Sequence, residues 1–306
     1  MKENPLILEI KGNSLDDGPG IRTVVFFKGC PLSCVWCHNP ESKSGEVEIS
    51  FDSNACIACD TCLGICTKDA LSRNSACFVN RDRCDLCFNC VDPCPSEALS
   101  SVGKEMTLDE VMTEILKDKP FFKTSGGGVT LSGGEPLVNM RYVSELMKKL
   151  KMEEVSVLLE TCGLFNFNFF EELILPLVQS IYMDIKLIDS DEHKKYCGVT
   201  NAVILENFRK IHLLSLERDF EILPRVPLVP DITDTEANLR GIADFLKENQ
   251  VKKVQLLNYN PLWHEKCDKI GAENTYKNEE NMTKWMATEK VKTSKEVFTC
   301  LGIEVI

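Results

Sequence analysis

Positive charge is in short supply in this chain. Its 35 Lys and Arg stand against 47 Asp and Glu, a formal net charge of −12 over 306 residues. Nucleic acids and anionic membrane surfaces are bound by clustered basic residues, so neither is expected as a partner. Also missing is any apolar run approaching the ~20 residues that span a bilayer. Met1 to Pro5 carries no apolar signal core, and the compartment expected from this is the cytoplasm. No grouping of serine, histidine and acid suggests nucleophilic catalysis. Cysteine, by contrast, is abundant, with 16 residues. In a reducing compartment such a number reads as metal ligands before disulfides. With 43% apolar residues the chain can bury a sizeable core, as one large α/β domain with or without a small second one.

Eleven of the cysteines fall into three tight runs. The first, Cys30-x3-Cys34-x2-Cys37, follows the apolar stretch Thr23 to Lys28, which predicts a buried strand with all three thiols in the loop at its end. Three thiolates on one loop can hold three irons of a 4Fe-4S cube and leave the fourth iron for a ligand that is not protein. An open metal position is where chemistry happens, whereas a closed one staples a fold. A structural zinc loop or an ordinary set of buried thiols is the competing reading.

The other two runs form an internal repeat. Cys56-x2-Cys59-x2-Cys62-x3-Cys66 recurs 28 residues later as Cys84-x2-Cys87-x2-Cys90-x3-Cys94. Two copies of this spacing are the bacterial two-cluster ferredoxin pattern, in which each run lends its last cysteine to the other cube. One cluster then takes Cys56, Cys59, Cys62 and Cys94, and its mate Cys84, Cys87, Cys90 and Cys66. Zinc competes, but zinc pairs are usually spaced a dozen or more residues apart and often include histidine, which this segment lacks. Thr67 stands where the ferredoxin run has proline and leaves the ligands intact. Some fifty residues bury too little surface to fold alone, so the segment is expected to be a metal-held module looped out of the main domain. Cys77, Cys162, Cys197, Cys267 and Cys300 read as small buried hydrophobes, and His38 and His264 as surface or locally hydrogen-bonded residues.

From Thr107 onward helices and strands alternate. Thr107 and Glu110 form a capping box ahead of a helix over Leu108 to Lys119. Strands are expected at 128–131, 154–159, 180–184, 220–224 and 252–257, with helices at 140–151, 167–178, 201–215, 235–249 and within 280–299. A short leading strand is expected over residues 5–11. Counting the strand before the first cysteines, six apolar strands with helices between them imply a parallel sheet. The expected architecture is α/β, a partial (β/α)6 barrel with an inserted bacterial-ferredoxin-like domain: residues 1–52 and 101–306 form the barrel and 53–100 the insert. An open doubly wound sheet is the alternative. Polar candidates at or just past the strand ends favour the barrel, because parallel barrels gather functional residues at that rim. They are Ser132-Gly133-Gly134-Glu135, Glu160-Thr161, Asp184 with Lys186, Arg225, and Asn258 with Asn260.

Cys30-x3-Cys34-x2-Cys37 with Trp36 before the last cysteine resembles the signature of the radical S-adenosylmethionine enzymes. Asp17-Gly18-Pro19-Gly20-Ile21-Arg22 before it and Cys37-His38-Asn39 closing it resemble the glycyl-radical-enzyme activating enzymes in particular. The resemblance implies reductive cleavage of S-adenosylmethionine to a 5'-deoxyadenosyl radical, which takes hydrogen from a backbone glycine of a larger glycyl radical enzyme. It implies cofactor contacts at Trp36, Gly133, Gly134, Glu135, Glu160, Asp184, Lys186, Arg225 and Asn260, partly through a bound monovalent cation, although Glu160 stands where the family carries aspartate. It further places Asp16 and Asp17 near the partner's glycine loop, and implies three 4Fe-4S clusters, a flavodoxin or ferredoxin as electron donor, and a monomer. Glu160 and Lys186 suit the ammonium and carboxylate of an amino acid, while a plain rim salt bridge is the bland alternative. Two other functions stay open: a radical enzyme acting directly on a peptide or small molecule, and an iron-sulfur electron carrier.

Overall fold

The computed structural model describes residues 4–75 and 77–306. Residues 1–3 of the first barrel segment and residue 76 of the insert lie outside them. The chain opens on β1 (Leu6–Ser14) and β2 (Arg22–Phe27), an antiparallel pair. β3 (Glu48–Phe51) follows, then the short helix α1 (Thr61–Ile65) inside the cysteine-rich segment, and then β4 (Leu99–Val102) and β5 (Lys104–Glu105). Thereafter come α2 (Leu108–Leu116), α3 (Lys119–Ser125), β6 (Gly128–Gly133), α4 (Met140–Met152), β7 (Ser156–Thr161), α5 (Phe167–Leu173) and β8 (Ser180–Asp184). The last part holds α6 (Ser190–Cys197), α7 (Ala202–Ser215), β9 (Glu221–Pro227), α8 (Glu236–Glu248), β10 (Lys253–Leu257), α9 (Trp263–Ile270), α10 (Thr288–Thr299) and β11 (Glu304–Val305).

The main sheet runs in the order β11-β10-β9-β8-β7-β6-β2-β1-β5. From β2 through β10 neighbouring strands are parallel and follow one another in chain order. A doubly wound sheet must reverse its strand order at a switch point. No reversal occurs here, so the sheet curls in one sense and the partial-barrel expectation stands. The alternation that suggested six parallel strands reads β2, β6, β7, β8, β9 and β10 correctly. β11 adds a seventh parallel strand, and β1 and β5 cover the other edge in antiparallel fashion.

Several boundaries differ for local reasons. The helix expected to run to Lys119 ends at Leu116, because Pro120 starts a second helix whose first turn needs no proline N–H. The helix expected over 167–178 stops at Leu173, two residues before the Leu175-Pro176 step that disfavours helical backbone. α6 and α9 were not foreseen. α6 buries only His193 and Cys197, so apolar periodicity gives little warning, whereas α9 places Trp263, Cys267 and Ile270 at helical spacing within a run of only 8 residues.

Residues 52–98 leave the barrel through a neck formed by β3 and β4, paired antiparallel from Glu48 opposite Val102 to Phe51 opposite Leu99. They have an apolar cluster of their own, in which Cys62 and Cys90 pack with Ile49, Leu71, Val79 and Leu99. The sequence repeat is also a backbone repeat. Ala58, Asp60 and Asp69 have left-handed backbone at φ 59, 60 and 46°, and Leu86, Phe88 and Glu97, each 28 positions later, have φ 56, 58 and 54°. Left-handed residues in such loops turn successive N–H groups inward, a geometry common around anions and iron-sulfur clusters. The insert sits against α9, where Lys269 pairs with Asp52 at 2.7 Å and Arg81 donates to the Lys269 carbonyl at 3.3 Å. Buried Lys28, at the end of β2, pairs with Glu48 of the neck. No helix among the described residues is long and apolar enough to cross a membrane.

Candidate active site

The carboxyl ends of the parallel strands open into a cavity of about 910 Å³. Cys30, Cys34, Trp36 and Cys37 line it, together with Gly133, Gly134, Glu160, Asp184, Lys186, Arg225 and Asn260. Asp16 and Asp17 lie on its wall, as do Ser50, Ser100 and Ser101 of the insert neck. Residues 16 to 260 thus meet in one place, as the strand-end reading anticipated.

The three-cysteine loop is held by main-chain hydrogen bonds. Gly29 N–H donates to the Ser42 carbonyl at 2.7 Å and Cys30 N–H to that of Lys43 at 3.1 Å. On its other side Ser33 N–H donates to the Cys197 carbonyl at 2.9 Å and Val35 N–H to that of Tyr196 at 3.0 Å, which ties the loop to the end of α6. The Gly133-Gly134 turn closes over the strand that leads into this loop. Gly134 N–H donates to the Phe27 carbonyl at 2.8 Å and Glu135 N–H to that of Gly29 at 2.8 Å. A Cβ on Gly134 would lie 2.3 Å from the Gly29 oxygen and one on Gly133 2.4 Å from Phe27 backbone atoms, so neither position tolerates a side chain.

Opposite the cysteines four charged side chains interlock. Arg225 bridges the ends of β7 and β8, donating through Nη1 to Glu160 Oε1 and through Nε to Asp184 Oδ1, the latter at 3.0 Å. Lys186 Nζ takes Asp184 Oδ2 at 2.7 Å, and Ser132 Oγ donates to Glu160 Oε2 at 2.6 Å. All four side chains are between 11 and 19% exposed. Burial opposes ionisation of Asp184, but Lys186 and Arg225 outweigh it and hold its carboxyl below the usual range. Burial likewise acts against Arg225 and Lys186, and the neighbouring carboxylates overcome it and push both upward. The quartet thus pairs two basic side chains with two carboxylates and is neutral in formal charge.

One expected feature does not fit. Glu135 stays off the cavity: it is fully buried and accepts from Leu137 N–H at 3.1 Å, Thr161 Oγ1 at 2.9 Å and Cys162 N–H at 2.7 Å. Its carboxylate braces the β6 loop against the end of β7, and burial pushes its pKa up. Each carboxylate oxygen of Glu160 and Asp184 accepts from one donor of the chain and keeps a second lone pair with which it can meet a cation.

Other residues were missed or misjudged from the sequence. Arg22 is buried and donates to Thr130 Oγ1 at 2.7 Å, to the Val129 carbonyl at 2.6 Å and to that of Pro19 at 3.2 Å. It pins the loop that carries Asp16 and Asp17, and burial pulls its pKa down to about 10. Cys162 and Cys197 are buried as expected, but they neighbour Cys30 and Cys34, which together with burial push both thiols upward. The Cys197 contact pulls Cys34 down to about 7, whereas burial pushes Cys37 up to about 12. Cys267 is buried, but Cys77 and Cys300 are exposed, against expectation. His264 is locally bonded, to the Met282 carbonyl at 2.7 Å, whereas His38 lines the cavity.

In the insert a small cavity is lined by Cys56, Cys59, Cys62 and Cys94, four thiols drawn from both runs. Burial, with smaller contributions from Cys84, Cys66 and Cys62, pushes Cys90 up to about 11. Among the described residues no three His, Cys, Asp or Glu side chains converge on a single metal position. A cube does not ask for that, since each of its irons takes its own thiolate.

The family model of the Radical SAM superfamily matches residues 72–245, and that of a 4Fe-4S single cluster domain matches residues 16–62, which include the three-cysteine loop. The chain is 37% identical to the isethionate sulfite-lyase activating enzyme of Oleidesulfovibrio alaskensis, over 87% of this chain and 86% of that one. It is 36% identical to the indoleacetate decarboxylase activating enzyme of Tractidigestivibacter scatoligenes, over 89 and 88%. With the 4-hydroxyphenylacetate decarboxylase activating enzyme of Clostridium scatologenes it shares 34% identity over 92% of both chains. Among solved structures, a radical SAM methyltransferase from Sphaerobacter thermophilus superposes with a TM-score of 0.55 at 13% identity, over 99% of this chain and 76% of that one, a likeness of fold alone.

Proposed function

Because the chain belongs to the glycyl-radical-enzyme activating enzymes of the radical S-adenosylmethionine superfamily, we propose that Cys30, Cys34 and Cys37 hold its catalytic cluster and that the charged quartet receives the methionyl end of the cofactor. The chain activates a glycyl radical enzyme. The cluster and S-adenosylmethionine together supply one-electron cleavage of the sulfonium bond, which yields the 5'-deoxyadenosyl radical that takes hydrogen from the partner's glycine.

The observation that carries this reading is the shared cavity, in which three cysteines on one loop share the wall with a quartet of two basic and two acidic side chains. The residues suit the cofactor. Lys186 offers an ammonium to a carboxylate, Glu160 and Ser132 offer oxygens to an amine, and the Gly133-Gly134 turn exposes main chain that a zwitterion can approach. Trp36 is buried on the cavity wall beside Tyr196, where it walls the site with apolar surface, and Asn260 lines the far side. Asp16 and Asp17, fixed by Arg22, stand on the wall that the partner's glycine loop would approach. Charged groups only 11 to 19% exposed act on a ligand more strongly than they would in open water.

For residues 53–100 we propose two further 4Fe-4S clusters, one on Cys56, Cys59, Cys62 and Cys94, the other on Cys84, Cys87, Cys90 and Cys66. The four-thiol cavity and the 28-residue recurrence of left-handed backbone support this. The paired strands at 48–51 and 99–102 support the division into barrel segments 1–52 and 101–306 around that insert. A flavodoxin or ferredoxin is the proposed electron donor to a monomeric, cytoplasmic enzyme.

The test is anaerobic incubation of the reconstituted, reduced protein with S-adenosylmethionine and candidate partners, among them isethionate sulfite-lyase, indoleacetate decarboxylase and 4-hydroxyphenylacetate decarboxylase. A glycyl radical in one of them, seen by electron paramagnetic resonance together with 5'-deoxyadenosine, is the expected result. Cofactor cleavage with no radical in any partner would favour direct modification of a peptide or small molecule instead.

A further inference from the structure

β1 is 9 residues long, but its outer neighbour β5 covers only the start of it, with Leu6 opposite Glu105 and Ile7 opposite Lys104. Beyond Ile7 the strand pairs with β2 alone. Among the described residues, no main-chain group of residues 8–13 bonds outside that ladder. Successive residues of a strand turn their N–H and C=O groups to opposite sides, so about half of these groups face away from β2 without a partner. Glu9, Lys11, Gly12 and Asn13 are exposed, and Leu8 and Ile10 half-buried.

An open strand edge invites pairing with another chain, and proteins commonly shorten or cover it. Here the uncovered stretch borders the active-site cavity. Leu8, Glu9 and Lys11 line that cavity, and the chain leaves β1 for Asp16 and Asp17 on the same wall. Ser50, Ser100 and Ser101 of the insert neck line it too, and Gly103 carries the chain from β4 straight into β5, beside the covered start of β1. Main-chain donors and acceptors with three small hydroxyl side chains recognise backbone more than any particular side chain. Six residues at ~3.3 Å each give about 20 Å of edge, room for a short strand.

We propose that residues 8–13 of β1 take the glycine-bearing segment of the partner as an added β-strand that runs along the cavity wall toward Asp16 and Asp17. Strand addition draws its affinity from main-chain hydrogen bonds, which suits a segment whose reacting residue has no side chain to hold. The inference deepens the reading that this cavity generates the radical, and rests on it.

The experiment uses the reconstituted, reduced full-length protein with S-adenosylmethionine and synthetic peptides spanning the radical-bearing glycine of isethionate sulfite-lyase, indoleacetate decarboxylase and 4-hydroxyphenylacetate decarboxylase. The glycine carries deuterium on its α-carbon, and abstraction is read as deuterium in 5'-deoxyadenosine. In a peptide that is turned over, each backbone amide is methylated in turn. KM should rise roughly tenfold at every second position, where methylation removes a ladder N–H, and change little at the positions between, whose N–H groups face away from β1. Hydrogen exchange gives a second reading: amides within residues 8–13 should slow when the unmodified peptide, or an intact lyase that gains a radical, is added. Methylation that costs the same at neighbouring positions, or exchange in 8–13 that ignores a peptide or lyase undergoing abstraction, would overturn the inference. Cofactor cleaved while no peptide loses deuterium and no intact lyase gains a radical would overturn the underlying reading of the cavity instead.

Discussion

Asp184 sits between two cations, and its ionised form is what Lys186 and Arg225 stabilise. A carboxyl whose folded pKa lies below its ordinary value of 3.8 adds stability that is complete above that pH and fades only as pH falls below it. Asp184→Asn should therefore destabilise the protein by nearly the same amount at pH 6 and pH 8. The expected loss is about 3 kcal/mol, the low end of what removing one partner of a buried pair costs. Urea midpoints at the two pH values check this, and a loss confined to one of them would contradict it. The sequence identified the quartet as separate polar residues at strand ends. It could not show that they pair with one another, since Glu160 and Arg225 are 65 positions apart. Glu135 shows the reverse failure: its place in a glycine turn made it look like a ligand, and only its three donors show it to be a brace.

Among the elements, the β6 turn fits tightly against the end of β2. Gly134→Ala would drive a methyl into the Gly29 and Ser42 carbonyls, at 2.3 and 2.8 Å, and part the turn from the cysteine loop. We expect the variant to lose the cluster signal that responds to S-adenosylmethionine while the insert keeps its iron; iron analysis and paramagnetic resonance give the answer. In the insert, the crossed ligand sets predict which losses coincide. Cys94→Ala should remove the same cluster as Cys56→Ala, and Cys66→Ala the same one as Cys84→Ala. If Cys94 and Cys84 variants instead shared a spectrum, the runs would not be crossed.

Taken whole, the molecule is a barrel with a side module whose neck forms part of the active-site wall, since Ser50, Ser100 and Ser101 line the same cavity as the cysteine loop. A shift of the insert should therefore be felt at the site. Asp52→Asn with Arg81→Ala removes contacts between the insert and α9. Each is an exposed or partly exposed polar contact worth ~1 kcal/mol or less, so global stability should change little while the module loosens. Faster limited proteolysis within 52–98, with slower radical formation on a partner, is the expected outcome. Unchanged proteolysis would show that the neck alone holds the module.

The sequence by itself determined what is local and periodic: the three-cysteine spacing, the 28-residue repeat, the capping box at Thr107 and Glu110, and the six parallel strands. Each follows from steric and chemical rules that act over a few residues, so a single stretch of chain carries the information. The tertiary structure alone decided which carboxylate each cation takes, that Glu135 turns inward, and that Cys162 and Cys197 stand beside Cys30 and Cys34. Apart from Lys186 and Asp184, two positions apart, those pairings join residues from 26 to more than a hundred positions apart. Only the packing of strand against strand sets their distance, and pairwise distance of that kind leaves no periodic mark in the sequence.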